Sequence, residues 1–175
     1  MNRIEIIGLS DLPEFKEGQN IAKKILECCS IQKIELTNKS ILVIAQKIVS
    51  KVEGQKVKIL DEIEYQSLVN SQAKRIVRKR GNTIIAQTKH GFICANVGID
   101  RSNIEDGYAL LLPENPDLSA KKIREEIENE LGIEIGVIIS DTFGRAWRNG
   151  QVNVSIGISG IDAIKSYIGE KDSFG

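Results

Sequence analysis

Apolar residues are distributed along the chain in two kinds of pattern, short β-branched runs and longer stretches at helical spacing. Ile4 to Leu9 predicts a short strand, ended near Pro13. From Glu17 to about Ile31, Ile21, Ile25 and Cys28 or Cys29 recur at helical spacing, which predicts an amphipathic helix with Lys23, Lys24 and Glu27 on its wet side. After a turn at Asn38-Lys39-Ser40, the unbroken run Ile41 to Ala45 predicts a central strand buried on both faces. Gly54 then turns the chain into a strand over Val57 to Leu60. Asp61 to Lys79 reads as a helix, with Ile63, Leu68, Val69, Ile76 and Val77 as its apolar positions.

The second half is richer in strands. Thr83 to Thr88 and Phe92 to Asn96 flank Lys89-His90-Gly91 and predict a hairpin with His90 at an exposed tip. Tyr108 to Leu112 predicts a strand stopped by Pro113 and Pro116. Asp117 or Ser119 then caps a helix from about Ala120 to Leu131, closed by Gly132. The apolar run Ile133 to Ile139 predicts a buried strand. Gln151 to Ile158 alternates polar and apolar, as a half-exposed strand does. There is no internal repeat, low-complexity tract or linker, so 175 residues predict one compact unit, with two small lobes as the alternative.

Charge narrows the class. Lys plus Arg and Asp plus Glu number 24 each, and no apolar run reaches membrane-spanning length. The expectation is a cytoplasmic protein whose partners are small molecules or a like subunit, with no nucleic acid and no membrane. Lys74 to Arg80 holds five basic residues in seven but lacks interleaved aromatics, and basic residues also suit a helix C-terminus. Cys28, Cys29 and Cys94 match neither a disulfide framework nor a zinc pattern, and read as core thiols. With His90 the single histidine, a metal site must be built from oxygen ligands, which suits Mg2+, Mn2+ or Ca2+.

The candidate chemistry lies where strands end. Ser140 to Gly150, S-D-T-F-G-R-A-W-R-N-G, follows the last buried strand and carries Asp141, Thr142, Arg145, Arg148 and the single tryptophan, Trp147. A second strand end offers Asp100 and, three residues on, Asn103. Carboxylates from two such loops can hold a hard divalent cation against phosphate oxygens. Lys47 and Lys51, just past the central strand, could meet phosphate as point charges. The combination is a nucleotide-plus-metal site without a Walker A or GxGxxG motif. On the residues alone, unrelated surface or capping aspartates stand as the alternative.

Longer segments extend the reading. Gly8-Leu9 with Leu12-Pro13-Glu14-Phe15, Ala45 to Lys51, Lys89 to Asn103 and Ile138 to Gln151 together resemble the coenzyme F-420-0:L-glutamate ligase family, in order and spacing along essentially the whole chain. The resemblance implies an α+β fold with a mixed, mainly antiparallel sheet, flanking helices and an intertwined homodimer. It implies a GTP-dependent enzyme that joins L-glutamate to a deazaflavin precursor, F-420-0, through an acyl phosphate and then adds γ-linked glutamates. By the same resemblance Asp100, Asp141 and Thr142 would hold Mg2+ or Mn2+, with K+ as a further candidate ion. Leu12, Pro13, Glu14, Phe15, Gln46, Lys51 and Asn103 would contact GTP, although many relatives have serine at the position of Gln46. Charge alone adds Lys47, Arg145 and Arg148 as phosphate or substrate neighbours, and no residue is assigned a catalytic role.

Members of that family continue past the position of Gly175, into a part that carries a further nucleotide- and metal-contacting segment. The expectation is therefore a single ligase-like domain, incomplete at its C-terminal end. Two alternatives accompany it: an inactive nucleotide-binding or assembly module, and a metal-dependent phosphohydrolase acting through the same aspartates.

Overall fold

The computed structural model describes residues 3–172 and Phe174, and the chain is α+β. Asn20 starts α1 (Ile21–Gln32) by accepting the Lys23 amide proton, and Lys33 closes it in the left-handed region at φ 56°. β1 (Ile41–Ala45) leads directly into α2 (Gln46–Val52), and then come β2 (Lys56–Lys58) and α3 (Glu62–Gln72). β3 (Ala73–Arg80), β4 (Thr83–Thr88) and β5 (Ile93–Ala95) follow, and a 3-10 turn over Asn96–Gly98 leads on to β6 (Tyr108–Leu110). α4 (Pro116–Leu131), β7 (Gly136–Asp141) and β8 (Val154–Ser159) complete the order.

Three small sheets result. β1 pairs parallel to β7, and β7 antiparallel to β8, in the order β1-β7-β8. β2 pairs antiparallel to β6, and β3-β4-β5 form an antiparallel meander. α1 and α4 cover one face of the first sheet, where Ile21, Ile25, Ile123 and Ile127 pack with Val137, Ile139 and Ile156. A second cluster gathers Ile59, Tyr65, Val69, Ile84, Ala86, Val97 and Ala109. Gly98, at φ 74°, joins the two, since a Cβ there would lie 3.0 Å from the Leu112 side chain of the first cluster. Gly157 lets Pro116 of α4 sit directly on β8, where a Cβ would come within 2.5 Å of the proline.

Several expectations change. Ile4 to Leu9 forms no strand, and Ile4 and Ile6 are about nine-tenths exposed, because the run finds no pairing partner. β1 is an outer strand buried on one face only, with Ile41 and Val43 exposed. The helix predicted over Asp61 to Lys79 ends at Gln72, and Lys74 to Arg80 lies in β3, whose side chains are almost all exposed. That removes the helix C-terminus as the reason for its charge. Charged side chains on an outer strand deter edge-to-edge pairing. α4 starts earlier than expected, capped by Asn115 with Pro116 in its first turn. Asp117 instead accepts the Ile158 amide proton at 2.8 Å. The hairpin of β4 and β5, the Gly132 stop and β8 form as the pattern predicts, with small shifts at their ends, but His90 is half-buried against the Pro113 and Glu114 carbonyls instead of lying at an exposed tip.

No described helix is long and apolar enough to cross a membrane.

Candidate functional site

α2 faces two ways because residues four apart share one side of a helix. Gln46 and Ser50 turn inward, where Ser50 Oγ donates to Gln46 Oε1 at 2.7 Å and Gln46 Nε2 is buried without a hydrogen-bond partner. Lys47 and Lys51 lie on another side. Lys51 pairs with Glu14, whose carboxyl is held below its ordinary range by the Lys51 hydrogen bond and charge. Phe15, 5% exposed, anchors the Leu12–Phe15 segment in the main core, and Leu12 packs partly against it. Pro13 and Glu14 remain exposed beside Lys51.

Lys47 reaches the other way, to the loop after the 3-10 turn. Its Nζ lies 2.8 Å from Asp100 Oδ2 and donates to the Ser102 carbonyl at 2.6 Å. The other carboxylate oxygen, Asp100 Oδ1, accepts from the Ser102 amide and hydroxyl, both at 2.7 Å. Burial works to raise the Asp100 carboxyl, but Lys47 and Ser102 outweigh it and hold the group below its usual value. Ser102 escaped the sequence reading, although an aspartate followed two residues later by a serine is a common self-bonding turn signal. Asn103 follows in the left-handed region at φ 49°, exposed.

Asp141 ends β7, and because Ala45 pairs with Ser140, β1 delivers α2 alongside it. Burial raises the Asp141 carboxyl, and the Asp100 charge adds to the rise, while the Thr142 and Phe143 amides and Lys47 oppose it. The two aspartates are thus in electrostatic range, with one lysine serving both. Cys94, fully buried, is pushed to about 12 by burial and by the Asp141 charge, so it is an inert thiol there.

The remainder of this loop folds back on itself. Arg148 Nη1 donates to the carbonyls of Thr142 and Phe143, the latter at 2.8 Å. Gly144 rests against Ala95, whose amide donates to the Gly144 carbonyl at 2.7 Å. Thr142 and Trp147 are exposed, the latter fully. Arg145 is half-buried, and its Nη1 is buried with no hydrogen-bond partner.

Four segments distant in sequence therefore converge: Leu12–Phe15, Gln46–Lys51, Asp100–Asn103 and Asp141–Arg148. Among the sequence-predicted site residues, Lys47, Lys51, Glu14, Asp100 and Asp141 form one charged group, whereas the side chains of Phe15 and Gln46 are interior. The donor set suits a hard divalent cation, with two carboxylates and the Thr142 hydroxyl, all oxygen. No group of three or more His, Cys, Asp or Glu that could hold a metal occurs among the described residues, so a cation here would complete its shell with water or phosphate oxygens.

The family model for F420-0:gamma-glutamyl ligase matches residues 10–175. The coenzyme F420:L-glutamate ligase of Methanocaldococcus jannaschii is 43% identical, over 99% of this chain and 74% of its own length. Its counterpart in Methanothermobacter thermautotrophicus is 38% identical, over 98% of this chain and 75% of its own. That of Methanosarcina mazei is 37% identical, over 99% and 72% respectively.

Proposed function

The chain belongs to the F420-0:gamma-glutamyl ligase family, and we propose that it is a GTP- and divalent-metal-dependent ligase joining L-glutamate to the carboxylate of a deazaflavin precursor, F-420-0. The observation that carries this reading is the convergence of Asp100 and Asp141 on Lys47. Two acids drawn to one lysine suit a phosphate chain with its counter-cation.

Asp100, Asp141 and Thr142 would hold Mg2+ or Mn2+, which supplies positive charge against the phosphate oxygens. Lys47, Lys51 and Arg145 would bind and orient the phosphates, with Leu12, Pro13, Glu14 and Asn103 around the nucleotide. Phe15 and Gln46, being interior, would shape the nucleotide's seat from behind. A carboxylate oxygen of the precursor attacks the γ-phosphorus, and GDP leaves with the bridging oxygen and its electron pair. The glutamate amine then attacks the acyl carbon, phosphate leaves and the ammonium proton is lost, giving an amide. Addition of further γ-linked glutamates repeats these steps. Thr142, Phe143 and Arg148 hold the loop closed on itself, which keeps Asp141 fixed through both steps.

A homodimer in the cytoplasm is part of the same proposal. The outer strand β1, with Ile41 and Val43 about half exposed, supports a partner subunit.

The test is to incubate the protein with F-420-0, L-glutamate, GTP and Mn2+, and to follow glutamylated product by mass spectrometry alongside GDP. GDP release that requires both acceptors supports the ligase. GDP release without them would instead favour a phosphohydrolase, and no nucleotide turnover an inactive module.

A further inference from the structure

Resting on the reading of L-glutamate as the amino-acid substrate, we propose that the cavity beside His90 is a binding site for a free α-amino acid. It holds about 190 Å³, which suits an amino acid and falls short of the several hundred Å³ that a larger ligand fills. It opens where the two core clusters meet, lined by Leu112 of one and Val97 of the other, with Ile99 extending this apolar floor.

The rim is polar and carries both signs of charge. Lys89 Nζ is held there by a neutral group, Gln72 Oε1, at 3.1 Å. Among the described residues neither Lys89 nor Glu114, which also lines the cavity, belongs to an ion pair. An unpaired cation and an unpaired carboxylate about an apolar floor match the carboxylate and ammonium of a zwitterion. His90 adds to this. Its Nε2 faces the carbonyl oxygens of Pro113 and Glu114 at 2.9 and 3.1 Å, so it carries the hydrogen. Nδ1 is then a buried acceptor without a protein partner, on a ring that lines the same cavity.

Two of the lining residues, Ile99 and His90, connect the cavity to the candidate site. Ile99 immediately precedes Asp100. The Phe92 ring lies 6.4 Å from that of His90 and 5.6 Å from that of Phe143, two residues past Asp141. Neither aspartate lines the cavity, so the ligand, whether it is the co-substrate or an effector of the same chemistry, is held by contacts independent of Asp141.

The experiment is calorimetric titration of the whole protein with L-glutamate and with glutarate, in the absence of nucleotide and metal. L-Glutamate should bind, and glutarate, which lacks the ammonium, at least tenfold more weakly. Lys89→Glu, at an exposed position, should lower the glutamate affinity tenfold or more, and Asp141→Asn should leave it unchanged. Absence of binding to the folded protein, insensitivity to Lys89→Glu, or loss of binding in Asp141→Asn would each overturn the proposal. In turnover, a raised KM for glutamate in Lys89→Glu identifies the co-substrate, and a change in kcat alone an effector. The binding measurement decides the site even if no ligation is detected.

Discussion

Lys47 stands between two acids: its ammonium is 2.8 Å from Asp100 Oδ2, and its charge also tempers the raised carboxyl of Asp141. A divalent cation at these aspartates must share or take over that task. Lys47→Met should therefore lower the stability of the metal-free protein by about 1–2 kcal/mol, discounted for the partial exposure of the pair. Added Mn2+ should recover more of the urea midpoint in this variant than in the parent. An equal response of both proteins to Mn2+ would separate Lys47 from the cation site.

Asp141 gives the opposite sign. Because burial and Asp100 raise its folded carboxyl above the unfolded value, its ionisation opposes folding as pH rises beyond the ordinary carboxylate range. Asp141→Asn should raise the urea midpoint of the metal-free protein at pH 7 and leave it unchanged near pH 3, where both forms are neutral. A lower midpoint at pH 7 would show that the carboxylate is structural.

Glu128 behaves conventionally. Burial works against its charge, but the Ile135 amide and Arg124 outweigh this and hold its carboxyl below the usual range. Its contribution is present above the unfolded carboxyl value and is lost as pH falls through the lower folded one. Glu128→Gln should cost about 1–2 kcal/mol at pH 7 and nothing measurable at pH 2, by urea unfolding at the two pH values.

Arg148 braces the Asp141 loop through the Thr142 and Phe143 carbonyls, next to the fully exposed Trp147. Arg148→Ala should free the loop while changing global stability by less than about 0.5 kcal/mol, as surface substitutions generally do. Trp147, the single tryptophan, reports it directly: its fluorescence anisotropy should fall. Unchanged anisotropy would mean that the Gly144 contact with Ala95 holds the loop alone.

Local pattern made the β4–β5 hairpin and the course of β7 legible, although β7 runs on through Asp141, which pairs with Val154, instead of ending at Ile139. The misread elements share a physical cause, since pairing and coverage are tertiary properties. Ile4 to Leu9 has strand composition but no partner strand, and β1 is continuously apolar although only one face meets helices. α3 ends without a glycine or proline to mark it, so Ile76 and Val77 could pass for helix positions, yet they belong to β3. At the site, spacing offered the acids and the lysines as candidates without separating them from unrelated surface residues. It could not show that Phe15 and Gln46 point inward, that Arg148 serves its own loop, or that Ser102 holds Asp100, because each depends on which segments meet.

The most direct measurement of the central claim is calorimetric titration of the protein and of Asp141→Asn with GDP, each with and without Mn2+. The account predicts that GDP binds the parent tightly only with Mn2+, and that Asp141→Asn, still folded, loses at least tenfold in affinity. Binding that ignores Mn2+, or that survives Asp141→Asn undiminished, would place the nucleotide elsewhere and contradict it.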